Sequence, residues 1–146
     1  MAIKIDLGFE PFELDFSNGN KETIYFNPAD PELGVRLYAL KDRLDERIKT
    51  MEDIELKPDG TPEKEEDIKV FGKTINIVCE EIDNAFRSEI SKTIFKWCSP
   101  FAIVNGKRFM VVFIEAIMPE IEKKIEKARK SEEDLINKDY LSKYSK

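Results

Sequence analysis

Apolar side chains recur at helical spacing through two long stretches of the chain, and this spacing constrains the fold more than any other feature. In the first stretch they step by four and three residues, which places them on one face of a helix. Asp30 and Pro31 precede it in the order of an N-cap and a first helical residue. We therefore predict a helix over residues 31–54. Its apolar stripe consists of Leu33, Leu37, Leu40, Leu44, Ile48 and Met51.

The second apolar stripe predicts a long helix over residues 62–98. A loop rich in proline and acidic residues precedes it at 55–66, and Thr61-Pro62 is its predicted cap. Val70 and Ile77 lie about 180° away from the stripe. A helix with apolar side chains on two faces either packs between two layers or offers one face to a partner. The main stripe consists of Ile68, Phe71, Ile75, Val78, Cys79, Ile82, Phe86 and Ile90.

The first 27 residues alternate apolar and polar side chains, which is typical of strands. Ile3, Ile5 and Leu7 alternate first, and the pattern resumes after a break at residues 8–11. The sequence Ser-Asn-Gly-Asn at 17–20 is typical of a tight turn. We therefore predict a β-hairpin region over residues 1–27. Its later apolar and β-branched residues are Phe12, Leu14, Phe16, Thr23, Ile24, Tyr25 and Phe26.

The stretch over residues 101–114 allows two interpretations. Asn105-Gly106 between two apolar runs is a strong hairpin signal. Alternatively, a helix begins just after this pair, because one helical face continues well beyond the stretch. We favour the helix and predict it over residues 107–130, followed by a polar C-terminal tail over 131–146. The helical face consists of Phe109, Phe113, Ala116, Ile117, Ile121 and Ile125.

The order of these elements predicts the fold class. An isolated hairpin is marginally stable in water, so the predicted hairpin must pack on the helices that follow it. We expect an α+β fold, mainly α, in which an N-terminal β-hairpin packs on a bundle of three to four helices. Residues 1–130 are expected to form a single compact domain, because 146 residues leave room for one core and hardly two.

The absence of certain residue types and motifs excludes several kinds of catalytic and metal-binding site. The chain contains no histidine, which excludes His-based nucleophile activation, imidazole acid–base catalysis and His metal sites. Cys79 and Cys98 form no CxxC pair, and we expect both to be reduced, buried thiols. Phosphate-binding glycine loops and the GxSxG motif do not occur. We therefore expect no enzyme activity, no cofactor, and no catalytic or metal-ligating residues.

The net charge of −6 is distributed unevenly. Residues 1–69 carry 18 acidic and 10 basic side chains, a net −8, whereas residues 70–146 carry 12 and 14, a net +2. An acidic first half disfavours nucleic acid as a partner. The sequence has no apolar run of about 18 residues that would span a membrane, and no signal-peptide pattern. We expect a cytoplasmic protein that binds neither nucleic acid nor membrane.

Five residues are our candidates for a partner-binding surface. Val70 and Ile77 form the secondary apolar face of the second helix. Trp97, Phe101 and Met110 flank the break at Pro100, where helix faces change, and we expect them to be partly exposed. Such a surface suits an amphipathic helix from a partner protein.

The order of features resembles the small tail assembly chaperones of long-tailed bacteriophages and of phage-like particles from Gram-positive hosts. The resemblance rests on the Phe-Glu-Leu-Asp-Phe strand at 12–16, on the sequence TIFKWCSPF at 93–101, and on FIEAIMP at 113–119. It spans most of residues 9–121. The shared features are hydrophobic patterns, and the resemblance implies no individual site residues.

This resemblance implies a non-enzymatic protein of the host cytoplasm that binds the helical tape-measure protein and keeps it soluble. It also implies recruitment of tail-tube subunits and absence from the finished particle, and a homo-oligomer is compatible with the role. Two alternatives stay open. The chain is a permanent structural or adaptor component of a phage particle, or it is an acidic inhibitor of a host enzyme that binds nucleic acid.

Overall fold

A computed structural model describes the backbone of residues 1–144 and the side chains of residues 1–139. An antiparallel hairpin comes first, three helices follow it, and a second, very small hairpin leads into the last helix. The elements are β1 (Glu10–Asp15), β2 (Lys21–Phe26), α1 (Pro31–Glu52), α2 (Glu65–Phe86), α3 (Ser91–Ile94), β3 (Ile103–Val104), β4 (Lys107–Arg108) and α4 (Phe109–Tyr144). The predicted fold class, α+β and mainly α, is confirmed.

The first hairpin forms where the sequence predicts it. β1 and β2 pair antiparallel in a register that sets Phe12 opposite Ile24. The Phe16 N–H donates to the Asn20 carbonyl at 2.9 Å, and Gly19 takes a φ of +88° that only glycine adopts without strain. Residues 1–9, all of which are described, form no strand, so this part of the predicted β region is wrong.

α1 buries the stripe that predicted it, with Ile48 only partly buried. Asp30 caps the helix by accepting the Glu32 N–H at 2.9 Å. α1 is joined to α2 by an ion pair in which Arg47 Nη2 lies 2.7 Å from Glu81 Oε1. Arg36 makes a second link, because its Nε donates to the Ala85 carbonyl at 2.7 Å. These contacts hold α1 against α2.

The long helix predicted over residues 62–98 is interrupted. α2 ends at Phe86, and Arg87 takes a left-handed φ of 55° that terminates the helix. The Asp83 carboxylate stabilises the turn that follows, because it accepts the backbone N–H groups of Ile90 and Ser91 at 2.9 and 2.8 Å. It also accepts the Ser91 hydroxyl at 2.8 Å. The chain therefore changes direction while Ile90 and Ile94 still reach the core.

The stretch over residues 101–114 contains both of the predicted alternatives. Asn105 and Gly106 take φ values of 51° and 81° and connect β3 to β4, as an Asn-Gly hairpin turn does. α4 then begins at Phe109 and continues through Tyr144. The predicted bounds 107–130 were too short, since most of the predicted polar tail is helical. Residues 145 and 146 of that tail lie outside the described residues.

A chain of aromatic rings connects the hairpin to the helices. Phe12 stacks on Phe26 with ring centroids 4.4 Å apart, and Phe26 meets Phe86 edge-on at 4.9 Å. Phe86 in turn lies 5.9 Å from Phe113 of α4. All four side chains are buried. β1, β2, α2 and α4 therefore share one core, in agreement with the predicted packing of the hairpin on the helices.

The contact between Asp30 and Arg36 predicts an acid-sensitive contribution to stability. Arg36 Nη2 lies 3.0 Å from Asp30 Oδ2 and, together with the Glu32 N–H, holds the pKa of Asp30 below its usual 3.8. A carboxyl whose pKa is lowered in the folded state stabilises the fold at pH values above 3.8. This stabilisation is lost as the pH falls through the pKa of the folded state.

The test compares wild type with Asp30→Asn, because asparagine preserves the cap but not the charge. Urea unfolding at pH 6 should show the variant less stable by about 1 kcal/mol or less. The difference should shrink towards zero as the pH is lowered below 3.8. A difference that stays the same at both pH values would contradict this role for the Asp30 charge.

Candidate functional site

Two of the five predicted partner-binding residues lie in the core. Phe101 is 5% exposed, with its ring 5.9 Å from that of Phe71, and Met110 is fully buried. The prediction that they are partly exposed was wrong. The reason is the small second hairpin, which reverses the chain after Pro100 so that the Met110 N–H donates to the Pro100 carbonyl at 2.9 Å. Both side chains are thereby turned inward.

The other three predicted residues are accessible to different degrees. Val70 is 40% exposed and Trp97 is 46% exposed, whereas Ile77 is partly buried. Lys96 Nζ lies 5.0 Å from the centre of the Trp97 ring, which is within the range of a cation–π contact. In the described part of the chain, none of these three residues lines the two apolar grooves that α4 forms with α1 and with β1.

The first groove, here called the α1–α4 groove, has a volume of about 450 Å³. Leu37 and Leu44 form its floor and are 3% and 2% exposed. Tyr38, 76% exposed, stands on the α1 wall. The α1 side also includes Gly34, where a Cβ would meet no atom within 4 Å. The α4 wall consists of Val111, Ile114 and Met118, all partly buried.

The rim of the α1–α4 groove carries charges of both signs. Lys41 and Asp45 lie on the α1 side and Glu115 on the α4 side. Glu115 is paired with Lys107, whose Nζ lies 2.8 Å from the carboxylate Oε2. The rim therefore has no strong net charge, and the groove is suited to a partner that binds through apolar side chains.

No sequence pattern predicted this groove as a whole, although a signal for its α4 wall was present. Val111, Ile114 and Met118 are spaced by three and four residues, which is a second helical stripe beside the one that we used to predict the helix. The pairing of that stripe with α1 depends on tertiary packing. No local sequence pattern gives it.

The second groove, the β1–α4 groove, lies between the first strand and the last helix and has a volume of about 580 Å³. Residues 11–16 of β1 and its turn line one side. Lys124 Nζ lies 3.3 Å from Glu10 Oε1 and connects α4 to the start of β1. The α4 side consists of Phe109, Val112, Phe113, Ala116, Ile117, Glu120 and Lys124.

Cys79 lies at the edge of a third depression, beside α3. Burial raises the pKa of its thiol, and the nearby carboxylates of Asp83 and Glu80 act in the same direction. The Cys79 thiol is therefore protonated at neutral pH. Among the described residues, no group of three or more Cys, Asp or Glu side chains is arranged to hold a metal ion, and no helix is long and apolar enough to cross a membrane.

Comparison with known proteins gives no relative: no family model, no curated protein and no solved structure matches the chain.

Proposed function

We propose that this protein is a non-enzymatic phage tail assembly chaperone that binds an amphipathic helix of the tape-measure protein in the α1–α4 groove. It acts in the cytoplasm of the host bacterium, keeps the tape-measure protein soluble, and helps to recruit tail-tube subunits. The main observation that supports the proposal is the α1–α4 groove, which is open and apolar and lies between two helices. The resemblance to tail assembly chaperones, which spans most of residues 9–121, supports the identity of the partner.

The dimensions of the α1–α4 groove suit one helix. Its α1 side extends from Gly34 to Asp45, a distance of about 16 Å, or three helical turns. Helices that bind in grooves use anchors at positions i, i+3 or i+4, and i+7. Three turns hold one such set of anchors, and the buried Leu37 and Leu44 offer them an apolar floor.

The walls of the groove offer the binding energy and the adaptability that a chaperone needs. Val111, Ile114 and Met118 keep part of their apolar surface accessible, and covering such surface is favourable by about 25 cal/mol per Å². Methionine adapts its shape to different partners. A tape-measure protein presents many apolar stripes along one long helical chain. A shallow, adaptable groove can cover such stripes one after another.

The acidic charge of the protein supports a role in an infected cell. The net charge of −6 opposes nonspecific association with DNA, which is abundant where tails are assembled. A binding surface that is apolar rather than charged also predicts weak dependence on salt, because no counterions are released.

Co-expression with the longest predicted-helical protein encoded next to this gene tests the proposal. We expect the soluble yield of the partner to rise severalfold, and the two proteins to co-elute on a sizing column at both low and high salt. A partner whose solubility does not change would contradict the proposal. A complex that dissociates at high salt would favour the acidic inhibitor, and recovery of the chain from purified particles would favour the structural component.

A further inference from the structure

The leading segment, defined as residues 1–9, exposes an alternating apolar pattern. Ile3, Ile5 and Leu7 are 85%, 75% and 63% exposed, and Lys4 and Asp6 alternate with them. This period of two is that of a strand with one apolar face. Contiguous exposed apolar side chains of this kind are typical of an interaction surface.

β1 has an open edge that can accept a strand. The Phe16 N–H bond to Asn20 directs the backbone groups of Phe16 towards β2. Backbone groups alternate along an antiparallel strand, so those of Glu13 and Asp15 point away from β2 and into the β1–α4 groove. The opposite edge, on β2, is already in use, because the Ser88 hydroxyl donates to the outward-facing carbonyl of Tyr25.

Parity restricts the antiparallel registers of the leading segment on this edge to those that place its even-numbered residues opposite Pro11, Glu13 or Asp15. If Lys4 is placed opposite Glu13, the hydrogen bonds use the outward groups of β1. Ile5 then lies beside Phe12 and Ile3 beside Leu14, on the face of β1 that packs against the helices. The apolar side chains would thus cover the part of the groove lined by Val112 and Ala116 of α4.

Charge favours the same arrangement. Lys4 opposite Glu13 is an attractive cross-strand pair, and Asp6 falls beside the uncharged Pro11. In the parallel orientation with the same Lys4–Glu13 pair, Asp6 would lie beside Asp15, and two carboxylates on neighbouring strands repel each other.

In its own chain, the leading segment is held on the β2 side of the hairpin, whereas the β1–α4 groove lies on the β1 side. The Asn27 Nδ2 donates to the Leu7 carbonyl at 3.1 Å, and Asn27 follows β2, on the side opposite to the free edge of β1. At Gly8, whose φ is +72°, a Cβ would come within 3.0 Å of Asn27 Nδ2, so the chain passes close to this anchor. A second copy can fill the groove without breaking the contact.

We infer that two copies of this protein exchange their leading segments, each adding residues 2–6 as a third, antiparallel strand to β1 of the other. The exchange is reciprocal and gives a twofold-symmetric dimer. It covers the exposed isoleucines and pairs the open strand edge in one step. The inference goes beyond the proposed function, because it concerns a different groove and a different partner.

Disulfide trapping between two single-cysteine chains tests this inference. Cys79 and Cys98 are first replaced by alanine, and circular dichroism checks that the fold is kept. A Lys4→Cys chain is then mixed with a Glu13→Cys chain and oxidised. We expect a covalent heterodimer on a non-reducing gel, because directly opposite residues have Cβ atoms about 5 Å apart. The matched control replaces Glu13→Cys with Asp42→Cys, an exposed residue of α1, which should give little product.

Two further measurements make the outcome decisive. Introducing Ile3→Asp and Ile5→Asp together should weaken the dimer at least about tenfold in sedimentation equilibrium, without unfolding a core to which these residues do not belong. Equal crosslinking of the Glu13 and Asp42 partners would overturn the inference. A Lys4→Cys/Glu13→Cys double variant that crosslinks only within one chain would overturn it too, since the segment would then cover its own groove.

Discussion

Replacing Phe86 by alanine should lower the free energy of unfolding by about 3–5 kcal/mol, the usual cost of removing a buried phenylalanine. Phe86 is 2% exposed, and its ring contacts Phe26 of the hairpin at 4.9 Å and Phe113 of α4 at 5.9 Å. The cavity left by the smaller side chain would therefore remove contacts that α2 makes with both the hairpin and α4. Domains of this size are stable by only about 5–15 kcal/mol. A thermal melt should show the midpoint lowered by roughly 10–15 °C.

The matched control for Phe86→Ala is Tyr38→Ala, which removes another aromatic side chain from a helix. Tyr38 is 76% exposed, so its replacement should change the free energy of unfolding by no more than about 0.5 kcal/mol. Equal midpoints for wild type and Phe86→Ala would mean that the aromatic rings do not hold the hairpin on the helices.

Helical periodicity predicted which residues enter the core better than it predicted where the helices end. Ile90 is buried, as the continuous stripe suggested, but it reaches the core from the turn that follows α2. Periodicity describes one rigid axis and gives no information about a change of direction. The break at Arg87 depends on Asp83, whose carboxylate bonds to backbone groups seven and eight residues further along.

The leading segment illustrates the opposite limit. Ile3, Ile5 and Leu7 have the alternation of a strand, yet residues 1–9 of a single copy form none. Alternation is a local property, whereas a strand needs a neighbouring edge in the right place. The pattern identified a segment with the alternation of a strand, but no local signal specified a neighbouring strand edge.

The candidate site was the least predictable part of the molecule. Exposure near the Pro100 break was inferred from sequence neighbours alone, and the second hairpin then buried Phe101 and Met110. The α1–α4 groove has one wall from residues 34–45 and another from residues 111–119. Each wall has a sequence pattern of its own. The distance between them is set by the core that joins the two helices, and that core is not visible in either pattern.

A single substitution on the α4 wall should distinguish binding in the α1–α4 groove from binding at the surface predicted from the sequence. Met118→Lys places a charge in the groove, and we expect it to weaken binding of a tape-measure fragment by about 10- to 100-fold. The loss corresponds to the 1.5–3 kcal/mol gained by burying a methionine side chain. Met118 is only partly buried, so the long stem of lysine can carry its charge to solvent and the fold should be kept.

The matched control is Val70→Lys, which makes the same kind of change on the exposed face of α2, where Val70 is 40% exposed. Affinity measured by titration of a labelled fragment should stay within about twofold of wild type. A twofold change in affinity corresponds to about 0.4 kcal/mol of binding free energy, which is typical of a surface substitution. Thermal midpoints of both variants report on folding. If Val70→Lys abolishes binding while Met118→Lys does not, the partner docks on α2, and the α1–α4 groove is not the site.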